Sequence, residues 1–98
     1  MENYVNRYFK KAKFERGTKV FYYAGKGVFK EDVIKRREFV ECGKNGDGIV
    51  RYEFGEHWYD TQRILERFVT SLDNKETLVK EITEEIKAHG EPDLINVV

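Results

Sequence analysis

The chain has few residues that staple, break or anchor a fold: one cysteine, one proline, one methionine and one tryptophan among 98 residues. The single Cys42 excludes an internal disulfide, so a hydrophobic core has to hold the domain. A lone thiol also fits a reducing compartment. One proline, with many aromatics and clear periodicities, argues against a disordered chain. No apolar run approaches the ~18 residues that cross a membrane. The opening Met1-Glu2-Asn3-Tyr4-Val5 lacks the charged-then-apolar layout of a signal peptide, and the expected location is the cytoplasm. His57 and His89 stand far apart beside one cysteine, so no zinc spacing exists and neither metal nor cofactor is expected. Internal repeats and low-complexity tracts are missing.

The chain also has no net charge, and that zero hides a split. Residues 1–37 hold 11 Lys/Arg against 4 acids, and residues 38–98 hold 7 against 14. One half can present a basic face and the other an acidic one. Fourteen aromatics supply bulk for a small core, and eight of them lie within residues 1–37.

The patterning predicts one α+β domain over residues 1–98. Tyr4/Tyr8 and Val5/Phe9 at i,i+4 spacing predict a short N-terminal helix within residues 1–14, or else an arm. Residues 17–71 read as a small twisted antiparallel sheet or barrel. Thr18–Ala24 is a strand rich in aromatic and β-branched residues. Gly25-Lys26-Gly27 is a turn. A long strand region from Val28 to Cys42 is expected to bend around Glu31-Asp32. Asn45-Gly46 and Asp47-Gly48 signal a hairpin returning through Ile49–Phe54, with Val50, Tyr52 and Phe54 on one face. Trp58, Ile64, Leu65, Phe68 and Val69 within residues 57–71 fit a helix started by Asp60 or two short strands closing a small barrel, the strands preferred. Residues 73–90 form the C-terminal amphipathic helix, capped by Asp73 with Glu76 and buried through Leu78, Val79, Ile82 and Ile86. Gly90 and Pro92 end it. In the tail, 91–98, Leu94-Ile95-Asn96-Val97-Val98 either docks on the body or pairs with a second copy.

The run Gly17, Val20, Tyr22, Tyr23, Gly27, Gly48, Tyr52, Phe54, Trp58, Ser71, Leu78, Val79, Ile82 resembles small phage- and prophage-type proteins with a Src-homology-like β-barrel and a C-terminal helix. The resemblance implies a non-enzymatic accessory or interaction role, in some cases against a host system, in the host cytoplasm. It transfers no catalytic residues.

Several chemical constellations yield to simpler readings. With Gly48 as position 6 of a calcium loop, position 1 is Gly43 and position 12 is Phe54, neither of which chelates through a side chain. Cys42, His57 and Asp60 have the residue types of a thiol triad without a nucleophile turn. Gly25 and Gly27 lack the rest of a phosphate-loop signature. The chain is therefore read as no enzyme.

What remains is binding. Cations interleaved with rings suit phosphates and bases. The candidate basic face is Lys10, Lys11, Lys13, Lys35, Arg36 and Arg37 with Tyr22 or Tyr23, since strand alternation predicts that one of these rings is exposed. The rival acidic face is Glu81, Glu84 and Glu85, imitating phosphate charge. The reading is a protein-binding module, a phage-type accessory or inhibitor of a host system. The alternative is a nucleic-acid-binding protein using the basic, aromatic-rich N-terminal half. A homodimer through the apolar tail is a further expectation.

Overall fold

A computed structural model of the chain describes residues 12–41 and 48–96. The expected helix over residues 1–14 falls almost wholly outside these, as do Lys10, Lys11, Cys42 and the Asn-Gly/Asp-Gly turn. The described part is α+β, with two three-stranded antiparallel sheets and one long C-terminal helix. The strands are β1 (Lys19–Gly25), β2 (Val28–Val33), β3 (Arg36–Glu41), β4 (Gly48–Phe54), β5 (Gln62–Leu65) and β6 (Val69–Thr70). The helix α1 runs Lys75–His89.

One sheet has the order β2-β1-β6 and the other β3-β4-β5. β2 and β3 are two halves of one bent path. The Ile34 N–H donates to the Thr18 carbonyl at 3.0 Å, and the next N–H, of Lys35, donates to the Glu53 carbonyl at 2.9 Å. The chain thus changes sheets between these two residues. The bend expected at Glu31-Asp32 lies farther on, because both residues stay laddered to β1, opposite Phe21 and Val20. Ile34, 1 % exposed, fills the corner. This exchange of partners yields two sheets in place of the single sheet or closed barrel expected from sequence.

The preference for strands in 57–71 holds, with 3-10 turns at Trp58–Asp60 and Glu66–Phe68 beside β5 and β6. β4 alternates as predicted, burying Val50, Tyr52 and Phe54. A single core joins both sheets to α1 through Leu78 and Ile82, while Val79 is exposed. Tyr22 on one sheet stacks on Phe54 of the other, ring centroids 3.9 Å apart.

The helix start differs from expectation. A 3-10 turn over Leu72–Asn74 leads into α1, so Asn74 takes the cap position and makes no side-chain cap bond. Its amide donates instead to the Ser71 hydroxyl at 2.9 Å. Asp73 therefore sits one residue too early for a capping box. Gly90 ends the helix as predicted, at φ +85°, where a side chain would be strained. The tail then docks on its own body: the Leu65 N–H donates to the Leu94 carbonyl at 2.7 Å. No helix among the described residues is long and apolar enough to cross a membrane.

Candidate functional site

The turn joining β4 to β5 carries the largest exposed apolar side chains among the described residues. Trp58 is 89 % exposed and Tyr59 71 %. The sequence leaves Trp58 among the apolar residues of a helix or a strand, since hydrophobicity alone does not say which face a turn presents.

The turn is tightly built. Asp60 accepts the His57 N–H on its carboxylate at 2.8 Å and returns its own N–H to the His57 carbonyl at 3.0 Å. The Thr61 hydroxyl donates to the same carbonyl at 3.1 Å. Gly55 has φ +118°, and a Cβ there would stand 2.8 Å from the Asp60 carbonyl oxygen. Only glycine lets the chain approach this closely in that conformation. On the framework His57 stacks against Tyr59, centroids 5.1 Å apart, and Trp58 meets Tyr59 edge-on at 5.8 Å. A contiguous exposed ring cluster on a braced turn is the usual composition of an interface centre.

Strand alternation places a different groove on each flank of this ridge. Glu53 and Arg63 point to one face of the hairpin and, with Lys35, Arg36, Glu56 and Trp58, line a groove of about 410 Å³. Phe54 and Gln62 point to the other and, with Tyr22, Lys30, Glu31, Asp32, Glu56 and Asp60, line a groove of about 450 Å³. The first has three cations against two carboxylates, and the second has four carboxylates against one cation.

Cross-strand ion pairs order the first flank. Arg36 pairs with Glu53 at 3.4 Å, and Arg63 with Glu38 at 3.4 Å and Glu53 at 3.8 Å. Arg51 also pairs with Glu38. The pairs of the exposed Arg36 and Arg63 contribute ~0–1 kcal/mol each and mainly fix geometry. Lys35 has no ion pair among the described residues. On the second flank, burial and the neighbouring Asp32 charge push the Tyr22 hydroxyl up to about 12. Glu31, paired with Lys75, is held below the usual carboxylate range.

The structure separates the residues predicted as a basic face. Tyr22 and Tyr23 are both buried, at 3 % and 0 % exposed. β1 is covered on both sides: Tyr22 lies on Phe54, and the Tyr23 hydroxyl donates to Glu91 at 2.6 Å. Neither ring is available for stacking. Lys13 is exposed, and its backbone N–H donates to Glu66 at 3.1 Å. Arg37 is half-buried, while Lys35 and Arg36 border the aromatic ridge. Glu81, Glu84 and Glu85 share a shallow depression on α1 with Arg67, which pairs with Glu85 at 3.0 Å. Among the described residues no cluster of three His, Cys, Asp or Glu is placed to hold a metal ion. His57 and Asp60 of the thiol triad are members of the turn, and Cys42 lies outside the described residues.

Comparison with family models, curated proteins and solved structures finds no match. The chemistry of the ridge and its grooves is therefore the basis for a functional reading.

Proposed function

We propose that the chain is a non-enzymatic protein-binding module whose docking surface is the His57-Trp58-Tyr59 ridge with its two charged flanks. The observation that carries this reading is the 89 % exposure of Trp58 on a braced turn. An exposed indole gains much from burial and loses little conformational freedom, since its backbone is already fixed. The rim of arginines and carboxylates matches the polar edge of protein interfaces. A nucleic-acid reading has less support, because Arg36 and Arg63 are engaged by glutamates that would have to release them. The sequence resemblance adds the setting, a phage-type accessory acting on a host system.

The test is comparison of wild type with the Trp58→Ala/Tyr59→Ala double variant. Retention of a protein partner by the wild type, lost in a folded double variant, supports the reading. Salt-sensitive anisotropy changes with labelled single-stranded DNA or RNA, abolished by Lys35→Glu/Arg36→Glu, would favour the nucleic-acid alternative.

A further inference from the structure

Resting on that reading, we infer that the partner at the ridge is a second copy of this chain, docked about a two-fold axis through the aromatic turn. A two-fold interface brings one patch against itself, rotated by half a turn. A patch suits this when its centre is apolar and its flanks carry opposite charge, because rotation then sets each flank against its complement twice. The hairpin end has this layout. Trp58 and Tyr59 form the centre. Lys35, Arg36 and Arg63 outnumber Glu53 and Glu56 on one flank, and Glu31, Asp32, Glu56 and Asp60 outnumber Lys30 on the other. A patch of one sign would repel its own copy. The zero net charge of the whole chain removes long-range repulsion between copies. The tail, which sequence reading offered as a dimer contact, is turned onto its own body through Leu94.

Trp58 is the single tryptophan, so its emission reports on this surface alone. The experiment is sedimentation velocity of the full chain between about 1 and about 100 μM, with tryptophan emission recorded in parallel. The expected result is a mass approaching that of a dimer at the upper end, with Trp58 emission shifting to the blue. Trp58→Ala raises the dimer dissociation constant at least about tenfold while circular dichroism stays native.

Two charge sets test the orientation: Lys35→Glu with Arg36→Glu, and Glu31→Lys with Asp32→Asn. Asparagine at 32 keeps the oxygen that accepts the Val33 N–H at 2.7 Å. Each set alone sediments as monomer, and an equimolar mixture recovers the dimer mass. Failure of folded variants to recover it overturns the two-fold pairing. So does a wild type that stays monomeric, or a dimer that Trp58→Ala leaves intact. A monomer that needs Trp58 to retain a different protein overturns self-association and leaves the binding reading standing. A monomer whose Trp58→Ala/Tyr59→Ala variant retains partners as well as wild type overturns both.

Discussion

The Tyr23 hydroxyl and the Glu91 carboxylate, 68 residues apart in the chain, are joined by a 2.6 Å hydrogen bond. The same carboxylate accepts the Lys26 N–H at 2.9 Å. Farther along, Leu94 accepts from Leu65, and the Ile95 carbonyl accepts from the Arg51 guanidinium at 3.1 Å. The segment after α1 thus straps both sheets. Glu91→Ala should cost about 1–3 kcal/mol, because it leaves a buried hydroxyl without its acceptor. Urea denaturation checks this, and an unchanged midpoint would show that the strap contributes nothing.

Alkaline stability follows from the buried tyrosines. Burial raises both Tyr22 and Tyr23, with Glu91 adding to the shift at Tyr23 and Asp32 at Tyr22. The folded state therefore holds these protons at pH values where the unfolded chain has released them. Their contribution is complete below about pH 10 and declines as the pH rises through the folded value, about 12 for Tyr22. Denaturation midpoints measured across that window should fall steadily, in step with tyrosinate absorbance.

Tyr52 ties the start of the described chain to the core. Its hydroxyl donates to Glu66 at 2.6 Å and accepts the Phe14 N–H at 3.1 Å, while Glu66 also accepts the Lys13 N–H at 3.1 Å. Tyr52→Phe should destabilise by about 1–3 kcal/mol and speed amide exchange at Lys13 and Phe14 more than elsewhere. Uniform exchange across the chain would argue against this local tether.

Trp58 and Gly55 should behave in opposite ways. Trp58→Ala removes an exposed ring and should leave stability within about 0.5 kcal/mol. Gly55→Ala forces a side chain against Asp60 at φ +118° and should cost about 1–3 kcal/mol while loosening the turn. Thermal melts of the two variants separate a surface role from a framework role.

Some of this was readable in the sequence. Val50, Tyr52 and Phe54 alternate cleanly because β4 buries one face. Leu78 and Ile82 declare their helix because α1 has one buried stripe. Tyr22 and Tyr23 mislead for the converse reason: β1 is covered on both faces, so alternation carries no information about exposure. Asp73 resembles a cap, but the 3-10 turn ahead of α1 shifts the first helical residue. The pairing of Arg36 with Glu53 and of Arg63 with Glu38 depends on strand register, which a single sequence does not display. The ridge itself left one usable signal, Gly55 followed by Asp60 around consecutive rings.

Acrylamide quenching of the single tryptophan, read as protein concentration rises from about 1 to about 100 μM, decides whether Trp58 forms the binding surface. Trp58 should be fully accessible and red-emitting in the dilute chain. Protection and a blue shift should grow as a binding partner, the second copy, covers the ridge. A tryptophan already shielded in the dilute chain would contradict the exposed ridge. One that stays equally quenchable at every concentration and with any retained protein would contradict its role as the binding surface.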